Sequence, residues 1–147
     1  MGRSKLQRTV GIAVLAGALV FIGGCANAQT TTSSAVRVSG PHLQLWLDHN
    51  FTSASLSHTN GCFFMTTGAA NARTQFLSCP DGWSDTLKGS SRVVGDTLCY
   101  TFPYPDRPLA EQCREWYWVG DHKVEMRANG VVFSTGYILS VVPIPGK

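Results

Sequence analysis

Four cysteines, Cys62, Cys79, Cys99 and Cys113, limit what this chain can become more than any other feature. They are separated by 16, 19 and 13 residues, and none forms the C-x-x-C knuckle of a zinc site or a thioredoxin-like motif. An even set at such spacing reads as two disulfides, which belong to an oxidising compartment. Each bridge contributes on the order of 3 kcal/mol, mainly by restricting the unfolded chain. The fold must therefore bring four separated segments into two close pairs. Four cysteines allow three pairings, and spacing does not choose among them. Nearest-neighbour hairpins give Cys62 with Cys79 and Cys99 with Cys113 as the expected bridges.

The first residues supply the compartment. Arg3, Lys5 and Arg8 form a positive n-region and Val10 to Gly24 a short apolar h-region, the pattern of an export signal. A spanning helix needs roughly 20 apolar residues, more than this glycine-interrupted run provides. Two cleavage sites compete. Ile22-Gly23-Gly24-Cys25 resembles a bacterial lipobox, in which Cys25 becomes the lipidated first residue of the mature chain, whereas Ala26-Asn27-Ala28 before Gln29 reads as an ordinary signal-peptidase site. Either cut accounts for the fifth cysteine, by lipidation or by removal. Lipidated Cys25 is the reading adopted, with secretion as the alternative. It divides the chain into a signal peptide at 1–24, a lipidated Cys25 with a Thr- and Ser-rich tether at 25–40, and a β domain at 41–147.

Loss of the signal removes three positive charges from the 12 Lys and Arg, leaving nine against nine Asp and Glu. A near-neutral domain lacks the basic footprint of a nucleic-acid binder.

Strand signals dominate the domain. Leu98, Tyr100 and Phe102 alternate with Thr97, Cys99 and Thr101, and Cys113 to Val119 is rich in aromatic and β-compatible residues. Gly120-Asp121 reads as a turn, after which Val124 and Met126 share a face. Asn129-Gly130 is the sharpest local signal, because both central positions of a type I′ hairpin turn need positive φ. Val131 to Phe133 resumes a strand and Tyr137 to Val142 makes a last one before Pro143 and Pro145. Earlier, Gly61 to Thr67 and Thr74 to Ser78 read as strands, and Gly89-Ser90-Ser91 as a turn. Pro41 to Asn50 fits either a strand or a short helix: Leu43, Leu45 and Leu47 alternate, while Leu43, Trp46 and Leu47 share a helical face. Seven or so short strands imply an all-β fold, a small antiparallel meander or barrel with two disulfides.

Cys79-Pro80-Asp81-Gly82, Gly95-Asp96-Thr97-Leu98-Cys99-Tyr100-Thr101-Phe102 and the stretch from Cys113 through Tyr117 to Gly120-Asp121 resemble a pattern in small exported proteins of alphaproteobacteria, a group of unknown function. In it, a G-D-x-x-C-Y strand is followed by a C-x-x-x-Y-x-x-G-D strand. The resemblance spans about Phe76 to Gly130 and departs at Gly89-Ser90-Ser91, where the pattern carries a Trp. It implies a β fold, an envelope location and a bridge between the cysteines of those two strands. It carries over no catalytic residue.

Candidate chemistry is sparse. His42, Asp48, His49 and His58 are metal-type ligands, yet their spacing matches no familiar site. Glu111 and Glu115 would lie on one strand face about 13 Å apart, as solvated carboxylates with an ion pair to Arg114. No G-x-S-x-G elbow is present. The reading is therefore of a non-enzyme without cofactor or metal. On an extended strand Arg114, Trp116 and Trp118 share one face. That face is either core, or an exposed row offered to a glycan or an envelope protein. The expected product is a bacterial envelope lipoprotein with a small β binding or structural domain. Two alternatives stand beside it: an inhibitor of an envelope-directed hydrolase such as lysozyme, using a loop near Pro103 to Pro108, and an enzyme in which His42, His49 and His58 converge.

Overall fold

The computed structural model describes residues 34–105, 107–140 and 142–145. The expected signal peptide at 1–24, Cys25 and most of the expected tether at 25–40 lie outside these residues. Nine strands and one helix follow in the order β1 (Val36–Arg37), α1 (Gly40–Asp48), β2 (Ser53–Ser57), β3 (Phe63–Ala69), β4 (Ala72–Ser78), β5 (Ser84–Val94), β6 (Thr97–Thr101), β7 (Gln112–Gly120), β8 (Lys123–Ala128) and β9 (Val131–Ile138). From β2 to β9 each strand pairs antiparallel with the next, and β9 returns to β2 through Ser53 opposite Ile138 to Ser57 opposite Ser134. The expected all-β fold is an eight-stranded up-and-down barrel, whose closure removes the open sheet edges.

Both expected disulfides are present, Cys62–Cys79 and Cys99–Cys113. Cys99 lies directly opposite Cys113 in the β6–β7 ladder. Cys62 and Cys79 extend the β3–β4 ladder one position beyond Phe63 and Ser78. The bridges fit an oxidising, extracytoplasmic compartment. Among the described residues no helix is long and apolar enough to cross a membrane.

Several boundaries differ from the sequence expectation. The ambiguous segment at 41–50 is a helix, because Pro41 suits the first helical turn and a helix buries Leu43, Trp46 and Leu47 together while Leu45 faces out. Asn50, at φ 51°, ends it. The domain starts before Pro41: β1 pairs Val36 with Trp118 and Arg37 with Tyr117, and Val38 is fully buried. β6 pairs with β7 only as far as Arg114, so β1 takes its place beside the later half of β7. Gly89 lies inside β5 rather than in a turn. A Cβ there would come within 2.1 Å of the Thr101 carbonyl oxygen, so this glycine lets β5 and β6 approach. The Asn129-Gly130 turn forms as expected, with φ of 51° and 76°. The strand after it runs unbroken to Ile138 and merges the two short strands read from the sequence.

α1 closes one end of the barrel, here called the base. Trp46 on the helix meets inward-pointing strand residues, its ring centroid 6.0 Å from Trp116 and 6.1 Å from Trp118. Its indole N–H donates to the Pro143 carbonyl at 2.9 Å. Phe51, Leu98, Val124 and Ile138 complete this apolar half. The helix is pinned at its start by the Gly40 N–H, which donates to Asp96 Oδ1 at 2.7 Å.

Candidate binding cavity

The opposite half of the barrel interior is not filled. A cavity of about 700 Å³ opens at the end away from α1, the mouth. The alternation of the strands explains its lining, since every second residue points inward. On β2 these are the small residues Ser53 and Ser55, and on β9 Ser134, so little volume enters from that side. Thr66 on β3 and Gln75 on β4 add polar groups, while Phe64, Leu77 and Met126 add apolar surface.

A hydrogen-bond chain organises one wall. Tyr104 O–H donates to Gln75 Oε1 at 2.5 Å, and Gln75 Nε2 donates to Thr66 Oγ1 at 3.1 Å. Tyr104 belongs to the loop after β6, and its ring lies beneath the Arg107 guanidinium at 4.8 Å. Tyr104, Pro105 and Arg107 all line the cavity. Tyr104, Pro105 and Arg107, in the loop read from the sequence as a candidate for a partner's cleft, therefore lie against the mouth of their own barrel.

The row Arg114, Trp116, Trp118 requires a correction. It points into the barrel, not to solvent. Trp116 is fully buried and Trp118 is 8 % exposed, both packed on α1. An exposed platform for a glycan or envelope protein is therefore absent at these two residues, because α1, left ambiguous in the sequence, covers them. Arg114 shares their face but sits nearer the mouth, where it lines the cavity. It donates to the Cys113 carbonyl at 2.8 Å and, more weakly, to Gln112 Oε1 at 3.4 Å, and lies 4.6 Å from the Phe133 ring centroid. Burial pulls its pKa below the ordinary guanidinium value, an effect partly offset by Tyr100 and Tyr104.

Two further polar groups mark the interior. Tyr100 lines the cavity, and burial pushes its phenol above the ordinary value, with Arg73 and Arg114 opposing that shift. Arg73, one pleat below Gln75 on β4, is 1 % exposed. It donates to the carbonyls of Phe51 and Gly68 at 2.9 Å and 2.6 Å and stacks 4.5 Å above the Phe51 ring. Its Nε and Nη2 have no partner.

The remaining candidates do not converge. His42 and His49 belong to the base, where His49 Nδ1 is bonded to the Leu45 carbonyl, while His58 follows β2 at the mouth end and contacts Thr135. Neither these histidines nor Asp48 line the cavity. Among the described residues Cys99, Glu111 and Cys113 come together with metal-like spacing, but both sulfurs are committed to a disulfide. Glu111 pairs with Arg92 at 2.6 Å and Glu115 with Arg37 at 2.9 Å, not with the inward-turned Arg114.

Ser53, Ser55, Thr66, Gln75 and Tyr100 were not singled out by sequence. Their signal is an inverted alternation. On β3 and β4 the apolar Phe63, Met65 and Phe76 are exposed while Thr66, Arg73 and Gln75 are buried. Alternation marks two faces without saying which is inside. The serine repeat at 53, 55 and 57 is the legible clue, since small polar residues on every second position of a strand suit an interior with room left in it. Compared with known proteins, the chain matches no family model, no curated protein and no solved structure.

Proposed function

We propose that this chain is an exported binding protein of the bacterial envelope, held by lipid on Cys25, whose barrel takes up a small molecule with an apolar body. The cavity carries this reading. A volume of about 700 Å³ falls within the range of small-ligand sites, roughly 300–1,000 Å³, and an eight-stranded barrel is just wide enough to hold one such molecule. Ring and aliphatic surface from Phe64, Leu77, Met126 and Phe133 suits an apolar body. The Tyr104–Gln75–Thr66 chain offers fixed polar contacts. For the anchor, the support is the lipobox together with cysteine parity: the other four cysteines pair among themselves and leave Cys25 no mate in the chain.

The test uses N-phenyl-1-naphthylamine, an uncharged fluorophore of suitable size. The expected result is saturable binding at one site per chain, abolished in Ser134→Phe with the thermal midpoint retained. Thr66→Phe fills the same space from another strand should the first variant not fold. Non-saturable binding, or binding untouched by a filled cavity, would overturn the proposal. Separately, Cys25→Ser should move the protein from the membrane fraction to the soluble one, and a wild-type chain beginning at Gln29 would end the anchor reading.

A further inference from the structure

Resting on the cavity reading above, we infer that the ligand is an organic anion, an apolar body bearing a carboxylate, sulfonate or phosphate that meets Arg114 and Tyr100. The interior charge is one-sided. Arg114 lines the cavity, and Asp81 at the rim is the one carboxylate among the described lining residues. Arg73 adds a second cation just below, buried and held, among the described residues, by carbonyls and a ring face. A buried guanidinium in a folded protein is ordinarily matched by a carboxylate. Arg37, Arg92 and Arg127 on the outside have such partners in Glu115, Glu111 and Glu125. The inward-facing Arg73 and the half-buried Arg114 have none among the described residues.

Arg114 commits two donors to protein, one of them at 3.4 Å. A guanidinium carries five in a planar fork that matches the geometry of an acid group. Its stack on Phe133 holds the plane in place. Tyr100 points inward on the neighbouring strand, half-buried, and its neutral phenol is a donor. Ser134, 1 % exposed, also lines the cavity, and its Oγ has no hydrogen-bond partner among the described residues. Donors without acceptors, set among aromatic surface, describe the complement of an amphipathic anion.

A matched pair of fluorophores tests this. 8-Anilinonaphthalene-1-sulfonate and N-phenyl-1-naphthylamine share one ring body, and only the first carries a negative charge. The wild-type protein should bind the sulfonate about tenfold tighter or more, as a charge-assisted hydrogen bond permits. That preference should fall as salt rises, while the neutral probe is unaffected. Arg114→Gln should bring the two affinities together, and Arg114→Lys should restore much of the preference. Equal affinities in the wild type, or a preference that survives both salt and Arg114→Gln, would overturn the inference and leave the cavity reading intact. Binding of neither probe would overturn both. Because the salt series needs no variant, the test stands even where a substitution at Arg114 does not fold.

Discussion

The two ends of the barrel are held together in different ways. At the base, Trp46, Phe51, Trp116 and Leu98 are fully buried against one another, and the helix is locked there by two long-range hydrogen bonds. Toward the mouth the interior is kept open by serines, and one wall is tied by the Tyr104–Gln75–Thr66 hydrogen-bond chain. Both disulfides sit in this half. Apolar burial contributes about 25 cal/mol per Å² removed from water, a contribution the mouth forgoes by leaving space for a ligand. Cross-links act on the unfolded chain and need no filled interior. A barrel that must stay hollow at one end can be stabilised there by covalent bonds.

The largest expected effect tests the base. Trp116→Ala should cost about 3–5 kcal/mol, read as a lowered urea midpoint. A loss no greater than that from truncating Phe133, half-buried at the mouth, would erase the contrast. Removing the Cys62–Cys79 bridge by a double alanine substitution should cost about 3 kcal/mol for its separation of 17 residues. Hydrogen exchange should then rise at the mouth ends of β3 and β4 before it rises around α1. An even rise over the whole barrel would show that the two halves open as one.

The smallest effect concerns Glu111, an exposed carboxylate near the Cys99–Cys113 bridge. Hydrogen bonds from Arg92 hold its pKa below the ordinary value. A group whose pKa is lowered on folding stabilises above its unfolded pKa, roughly 4.3, and that stabilisation disappears as pH falls through the folded value. Glu111→Gln should therefore unfold slightly earlier than wild type at pH 7 and together with it in acid. A gap that widens in acid would refute the pairing.

Much of the barrel was legible because local chemistry agreed with it. The Asn129-Gly130 turn, the Thr97 to Thr101 alternation and the hairpin spacing of the cysteines each report a structure formed by neighbours. What was not legible depended on distant partners. Ser53 to Ser57 has weak strand propensity and forms β2 because β3 and β9 flank it. Gly89 looks like a turn residue until Thr101 is seen against it. The cavity was hidden for the same reason: Arg114, Trp116 and Trp118 share one face, yet only the position of α1 decides that the two indoles become core and the arginine becomes wall.

Closure between β2 and β9 has a consequence in time. Thr52 N–H donates to Ser140 Oγ across 88 residues of chain, and Trp46 to the Pro143 carbonyl across 97. The seam of the barrel joins its first strand, β2, to its last, β9. β2 finds β3 at once but lacks its second neighbour until β9 is made. Folding dominated by such distant contacts is slow, and until closure the free edge of β2 stays accessible to other chains. A chain shortened before β9 would keep that edge open.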